Sequence, residues 1–156
     1  MEIRRAVTAD IERLEALLAQ VLEVHATGRP DLFKHGTTKY TERELEEILA
    51  DDARPVFVAC DGDGVVAGYA FCVFQRHAND NVLQDVRTLY VDDICVDEAS
   101  RGSGVGRALY EHVVAFAREE GFYNVTLNVW SCNPGAMRFY ESLGMRPYKI
   151  GMEEVL

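Results

Sequence analysis

Apolar residues recur at helical spacing near the start of the chain. A strand-like run covers residues 2–7, and Thr8 or Asp10 after it can cap a helix. Apolar positions three and four residues apart form one face of that helix. They are Ile11, Leu14, Leu17, Leu18, Val21 and Leu22. This pattern predicts an amphipathic helix with its apolar face on a core.

The helical pattern gives way to an irregular stretch over residues 25–40. This stretch contains Gly28, Pro30 and Gly36, which predict a long loop, and a loop of this length in a compact domain is often functional. Residues 41–44, with the sequence Thr-Glu-Arg-Glu, then have the spacing of a capping box. They predict a second, short helix that continues to about residue 50.

Three strand patterns occupy the middle of the chain, over residues 55–60, 65–74 and 87–96. The first two are separated by residues 61–64, with the sequence Asp-Gly-Asp-Gly. Glycine beside aspartate suits the positive φ angles of a tight turn, so the two strands are predicted to form a hairpin.

The last third of the chain predicts two more helices and two more strands. One helix runs from about residue 104 to 120 and ends at Gly121. A strand is predicted over residues 123–130. Asn133 and Pro134 are ordinary helix-start residues, and they begin a helix that closes at Gly144. Residues 148–156 predict a final strand.

The order of these elements is β-α-α-β-β-β-α-β-α-β, with no internal repeat or linker. It predicts one α/β domain over residues 1–156, built on a mixed sheet. A chain of 156 residues is long enough to bury one substantial core.

The charge of the chain narrows its expected partners. Acidic residues number 26 against 16 lysines and arginines, and the net charge is −10. General affinity for nucleic acid or for an anionic membrane is therefore not expected, whereas a cationic substrate such as an amine is compatible. A second explanation stays open, since an acidic surface also simply favours solubility.

Targeting and cysteine patterns add little chemistry. No apolar run approaches the ~20 residues that span a bilayer, and the N-terminus does not resemble a signal peptide. The four cysteines include no C-x-x-C pair. Free thiols in a reducing cytoplasm are expected, with no metal site and no disulfide.

The run Arg101–Gly106 is the most informative stretch of the sequence. It follows the apolar residues Ile94, Cys95 and Val96 and opens an amphipathic helix. A strand, a glycine turn and a helix start form an anion site, because glycines allow close approach and the first helical amides lack internal partners. The run matches neither a Walker P-loop nor a dinucleotide fingerprint. A different phosphate-bearing cofactor is therefore predicted.

The run resembles motif A of the GCN5-related N-acetyltransferases (GNAT), [RQ]-x-x-G-x-[GA], because Arg101, Gly104 and Gly106 fill its fixed positions. Residues 133–145 resemble motif B of the same family, N-x-x-A-x-x-[FL]-Y-x-x-x-G-F. The chain is identified on this resemblance as a member of that family. The resemblance implies a mixed, mostly antiparallel sheet with helices on both faces.

The family resemblance implies acetyl-CoA as cofactor. The amides of the glycine turn are expected to hold its pyrophosphate: Gly102, Ser103, Gly104, Val105 and Gly106. Arg101 either contacts phosphate or points to solvent. The pantetheine arm is expected along the fourth strand at Ile94, Cys95 and Val96, paired with backbone groups. Asn133 either contacts the cofactor or only caps its helix.

Tyr140 matches the general acid of the family. A phenol of pKa about 10 stays protonated at neutral pH and can supply a proton to a leaving thiolate. Tyr140 also lies on an apolar helical stripe, so a packing role stays open. Asp92 and Asp93 are the candidate bases, where polyamine acetyltransferases of the family carry acidic residues, and the alternative is that they are only solvated or hydrogen-bonded. Because successive strand residues face opposite sides, only one of the two is expected in the cleft.

The acceptor is expected over the first helix and the loop after it. The candidate wall residues mix charged and aromatic side chains: His25, Arg29, Asp31, Phe33 and Tyr40. The resemblance thus implies acetyl transfer to a primary amine, directly and without a cysteine nucleophile. The amine belongs to a small molecule (polyamine-, amino acid- or aminoglycoside-like) or to a protein or peptide.

One alternative is a non-catalytic acyl-CoA-binding module of the same fold. Another is the transfer of a larger acyl group, such as succinyl or propionyl. Family members are often dimers, and residues 146–156 are the segment through which a homodimer would form.

Overall fold

The computed structural model describes all residues from 1 to 156. Five strands and four helices make up the chain: β1 (Glu2–Arg5), α1 (Ile11–Gly28), α2 (Glu42–Leu49), β2 (Val56–Cys60), β3 (Val66–Arg76), β4 (Arg87–Val96), α3 (Val105–Glu119), β5 (Asn124–Leu127) and α4 (Pro134–Ser142). The sheet order is β1-β2-β3-β4-β5. Neighbouring strands are antiparallel from β1 to β4, and β5 is parallel to β4. The predicted mixed, mostly antiparallel sheet is confirmed.

The helices bury apolar stripes on both faces of the sheet, as predicted. On one face, α1 and α2 pack through fully buried residues such as Leu14, Leu17 and Leu45. On the other face, α3 packs through Leu109 and Val113. Because successive strand residues point to opposite faces, the three central strands β2, β3 and β4 contribute to both core clusters. None of the helices is long and apolar enough to cross a bilayer.

Helix α1 is longer than the sequence predicts. It continues to Gly28, so His25 lies in its last turn and the irregular segment covers residues 29–41 instead of 25–40. Gly28 ends the helix beside Cys132, where an added Cβ would lie 2.7 Å from the Cys132 Sγ atom. The glycine that suggested a loop is therefore explained by a close approach between two parts of the chain.

The predicted strand over residues 148–156 is wrong, because residues 145–156 form no regular secondary structure. The alternating side chains of Tyr148, Ile150 and Met152 suggested a strand, yet all three are exposed. Alternation indicates which side chains share a face, but a strand also needs a hydrogen-bonded neighbour. The strand β5 is also shorter than predicted, with only four residues.

Candidate active site

The predicted glycine turn lies between β4 and α3. Gly102 and Gly104 have φ angles of 79° and 91°, and a Cβ added at either would meet nothing within 4 Å. Both positions thus require glycine for the backbone conformation, and the space in front of them is open. The first bond of α3 joins the Ala108 amide to the Gly104 carbonyl oxygen at 3.0 Å. The amides before Ala108 in the helix remain available to an anion.

Gly106 has a different role in the same turn. A Cβ there would lie 3.2 Å from the Phe139 ring and 3.4 Å from Val96. Glycine therefore lets the start of α3 approach both the end of β4 and helix α4. Helix α4 carries Tyr140, so the turn and the predicted acid are held in one packed unit.

A β-bulge shapes the middle of β4. Phe71 of β3 is opposite Asp93, but the next residue, Cys72, is opposite Val91. Asp92 is the extra residue, and a bulge of this kind bends a strand and increases its twist. The alternation of β4 reverses across the bulge. Val91 belongs to the core cluster on the α3 side, whereas Cys95 belongs to the cluster on the α1 side.

The bulge corrects the expectation that only one of Asp92 and Asp93 faces the cleft. Both carboxylates line the same cavity and both lie within 4 Å of the Lys39 ammonium. The expectation assumed an unbroken strand, in which neighbours point to opposite faces. The extra residue breaks that alternation and brings the pair to one side.

The strands β4 and β5 separate at the bulge. Their pairing covers four positions and ends with Val91 opposite Leu127. The strand β4 continues to Val96, so its last five residues lack a strand partner on the β5 side. Backbone groups at Ile94 and Val96 are therefore available along an open edge that leads to the glycine turn.

A cavity of about 580 Å³ opens at this separation. It brings together residues from α1, the 29–41 segment, β4, the β5–α4 connection and α4. Seven of the predicted site residues line it: His25, Phe33, Asp92, Asp93, Ile94, Asn133 and Tyr140. The glycine turn lies beyond the cavity, at the end of the same strand.

The two aspartates differ in their surroundings. The Asp93 side chain is 10% exposed and accepts a hydrogen bond from the Tyr69 hydroxyl at 3.1 Å. The Asp92 side chain is 30% exposed and accepts hydrogen bonds from Lys39 at 3.0 Å and from the Tyr40 hydroxyl at 3.2 Å. Burial raises the pKa of Asp93, against the opposing effects of Lys39 and Tyr69. A raised pKa brings a carboxylate closer to the range in which it works as a base.

Tyr140 is 8% exposed and lines the cavity from α4. Burial, followed by the negative charge of Asp93, raises the pKa of its phenol above the ordinary value. The phenol is therefore protonated at neutral pH and available as a proton donor. The site places a carboxyl group of raised pKa and a protonated phenol in one cavity, an arrangement suited to a base and an acid.

Asn133 and Arg101 have identified partners within the chain. The Asn133 Oδ1 atom accepts a hydrogen bond from the Ala136 amide at 3.1 Å and caps α4, while the residue also lines the cavity. The Arg101 side chain is half exposed and lies 3.7 Å from Glu98. Asn133 thus has the capping role that its sequence context predicted, and Arg101 extends from the turn toward solvent.

Only some of the predicted acceptor-wall residues line the cavity. The Phe33 ring lies 5.2 Å from the rings of both His25 and Trp130, and all three residues line the cavity. Tyr40 does not line the cavity, and neither do Arg29 and Asp31. They form an ion pair with each other at 2.7 Å, and Arg29 also binds Glu153 at 3.0 Å. Their charges are satisfied outside the cavity.

Cys95 offers no nucleophile to the site. It is buried, and its thiol donates a weak hydrogen bond to the Leu17 carbonyl oxygen at 3.6 Å. Burial raises its pKa to about 12, so the thiolate is scarce at neutral pH. Cys60 and Cys72 are also buried, and the exposed Cys132 does not line the cavity.

Sequence reasoning missed three residues of the site. Lys39 lies between the two aspartates, Tyr69 binds Asp93, and Trp130 closes the aromatic wall. Lys39 belongs to a segment without periodicity, so nothing in the sequence connects it to residues 53 positions away. One signal was present, since two adjacent aspartates are unusual in a strand and a bulge would accommodate them.

The chain is similar to known acetyltransferases. The family model described as the acetyltransferase (GNAT) family matches residues 18–145. Streptothricin acetyltransferase of Streptomyces lavendulae is 34% identical over 162 residues, covering 92% of this chain and 80% of that protein. An aminoglycoside N(6')-acetyltransferase of Stenotrophomonas maltophilia is 38% identical over 78 residues, half of each chain.

Solved structures share the whole fold. A tetramutant of the BH1408 protein from Bacillus halodurans has a TM-score of 0.95, with 30% identity and complete coverage of both chains. An aminoglycoside N-acetyltransferase in complex with CoA has a TM-score of 0.73 and 19% identity, covering 99% of this chain and 98% of that one. The second likeness concerns the fold alone. With the family model matched over most of its length, the chain belongs to the GNAT acetyltransferase family and is an acyltransferase.

Proposed function

We propose that the protein transfers the acetyl group of acetyl-CoA directly to a primary amine. One observation carries this proposal. A single cavity joins Tyr140, Asp92 and Asp93 to the open edge of β4, and this edge leads to the glycine turn. Acid, base and an approach for an extended cofactor thus meet in one place.

The residues present fit acetyl-CoA. The amides of Gly102 to Gly106 would hold its pyrophosphate, since Gly102 and Gly104 leave open space before the start of α3. The free backbone groups of Ile94 and Val96 would pair with its pantetheine amides. Bound there, the cofactor would supply an acetyl group activated as a thioester.

Side chains of the protein would carry out the proton transfers. Asp93 takes a proton from the acceptor ammonium, which frees the nitrogen lone pair to bond to the acetyl carbon. Tyr140 would give its phenolic proton to the sulfur as the carbon–sulfur bond breaks, and the second proton that the nitrogen loses on becoming an amide would restore the phenol. Burial raises the pKa of both groups, which keeps the Tyr140 phenol protonated and makes the Asp93 carboxylate a stronger base once it is ionised.

Thiol release from acetyl-CoA in the presence of primary amines tests the proposal. Release that depends on an amine, with an acetylated product of matching mass, is the expected result. Tight acetyl-CoA binding without turnover of any amine would instead favour a non-catalytic acyl-CoA-binding module. Failure to bind acetyl-CoA would contradict the use of the glycine turn.

The pH dependence should identify the base. Asp93 must be ionised to accept a proton, so kcat/KM is expected to rise with pH through its raised pKa. The acidic limb should therefore lie above the pKa of about 3.9 of an unperturbed aspartate. Asp93→Asn should remove this limb and lower kcat about 10²- to 10⁴-fold.

The stability of Asp93→Asn and a control variant make that experiment interpretable. Folding must keep the buried Asp93 ionised at a cost, so neutralising it with asparagine should not unfold the protein at neutral pH. Asp92→Asn is the matched control and should keep the acidic limb, because Asp92 is the more exposed of the two. An unchanged limb in Asp93→Asn would assign the base to another group.

We further propose a homodimer through residues 146–156. The strand β5 is at the edge of the sheet, and a groove of about 540 Å³ beside it includes Tyr110, Phe122 and Tyr148. Tyr148, Ile150 and Met152 are exposed. Sedimentation velocity should give a dimer for the full chain and a monomer for the triple variant with serine at these three positions. A monomeric wild type would contradict the proposal.

A further inference from the structure

Lys39 places a primary ammonium group inside the candidate active site. Its Nζ atom lies 3.0 Å from an Asp92 carboxylate oxygen and 3.6 Å from an Asp93 oxygen. The residue lines the same cavity as Tyr140. The side chain of Lys39 is an amine on a four-carbon stem, so it shows which chemical group these two carboxylates accept.

This ammonium is held by charge rather than by a rigid frame. Lys39 lies in the irregular segment over residues 29–41, and about a third of its side chain is exposed. The pair of Lys39 and Asp92 is partly exposed, and such an ion pair on a long, flexible side chain contributes little net stability, while the pairing of the more buried Asp93 would be restored by the incoming charge. An incoming ammonium can therefore replace Lys39 at small cost.

The charges of the cavity lining are balanced. Two carboxylates, Asp92 and Asp93, face two lysines, Lys34 and Lys39, and the other lining residues apart from His25 carry no ionisable charge at neutral pH. No further carboxylate lines the cavity to receive a second cation. A ligand with several positive charges would meet Lys34 and the displaced Lys39 without compensation.

The walls around the carboxylates are largely apolar. Leu18, Val21 and Leu22 of α1 form one side. The T-shaped pair of Phe33 and Trp130 forms another. Such walls favour a ligand body of alkyl or aryl carbon, because apolar surface is removed from water on binding.

We propose that the acceptor is a monocationic primary amine with an aliphatic or aromatic body, and that its ammonium displaces Lys39 from Asp92 and Asp93. Lys39 is then a specificity-determining residue. This inference rests on the proposed acetyl transfer and names its substrate class. It differs from the substrates for which the relatives are named, streptothricin and aminoglycosides.

Matched amines test the charge requirement. Hexylamine and 1,6-diaminohexane differ by one ammonium, and 1-hexanol is the uncharged counterpart. The first measurement is kcat/KM for acetylation, and hexylamine is expected to exceed the diamine by about tenfold. Spermidine and kanamycin should be poorer still. The second measurement is calorimetric binding of the same compounds to the protein saturated with CoA, in the same expected order.

Variants at Lys39 connect the preference to this residue. Lys39→Met removes the competing charge, so the KM for hexylamine should fall about threefold or more, and the discrimination against 1,6-diaminohexane should shrink. Lys39→Arg keeps the charge and should keep the discrimination. Unchanged discrimination in Lys39→Met would overturn the role of Lys39.

The two measurements separate this inference from the proposed function. Acetylation that favours spermidine or kanamycin would overturn the inference and leave the function standing. Hexylamine binding in the expected order without acetylation of any amine would overturn the function and leave the site assignment standing. Absence of hexylamine binding to the CoA-saturated protein would overturn the inference whatever the activity.

Discussion

Tyr140→Phe is expected to lower kcat about 10²- to 10⁴-fold, which is the usual contribution of a positioned proton donor. The substitution removes only the hydroxyl and keeps the ring that packs against Phe139 at 5.1 Å. Burial and Asp93 raise the pKa of this phenol, so the group that is lost is protonated at neutral pH. Steady-state thiol release measures kcat, and calorimetry should show acetyl-CoA affinity close to that of the wild type.

Tyr110→Phe is the matched control for this result. The Tyr110 ring lies 6.4 Å from the Tyr140 ring, but its side chain lines the groove beside β5 and not the active-site cavity. Its kcat should match the wild type. Full activity in Tyr140→Phe would show that Tyr140 only packs on the apolar stripe of α4, and that the leaving sulfur takes its proton from elsewhere.

Gly104→Val is expected to weaken acetyl-CoA binding about ten- to hundredfold. Gly104 has a φ of 91°, and a side chain in the left-handed region costs about 1–3 kcal/mol. A free protein that relaxes from this conformation must return to it on binding, and this cost corresponds to the stated range of affinity. The backbone can relieve the strain only by rotating away from the geometry that presents the first amides of α3. The new side chain also projects into the open space before them.

Gly64→Val separates strain from binding. Gly64 has a φ of 80°, and a Cβ there also meets nothing within 4 Å, but the residue lies in the turn between β2 and β3. Both variants should lose similar stability on thermal unfolding, and only Gly104→Val should lose acetyl-CoA affinity. Equal affinity in the two variants would place the pyrophosphate away from the glycine turn.

Most of the fold could be predicted from local patterns. Amphipathic periodicity identified α1 and α3, because each buries one stripe against the sheet. The capping box at Thr41 begins α2, and its side chain accepts a hydrogen bond from the Glu44 amide. These signals act over a few residues, which is why sequence alone contains them.

The prediction of a final strand was wrong because strand pairing is not a local property. Tyr148, Ile150 and Met152 alternate as a strand would, yet residues 145–156 pair with no strand. Pairing depends on an edge supplied by a distant part of the fold or by another chain. The local pattern carries no information on whether such an edge is within reach.

The motifs in the sequence were sufficient to identify the family, the glycine turn and Tyr140 as a candidate site residue. Each of these depends on residue types at short, fixed spacing. Tertiary structure decided the arrangement of the candidate acceptor site. The bulge at Asp92 turns two neighbouring carboxylates to one side, and the 29–41 segment brings Lys39 between them. Both outcomes depend on strand register and on chain packing over long separations. The charge and shape of the candidate acceptor site therefore follow from the folded chain and not from any local run of residues.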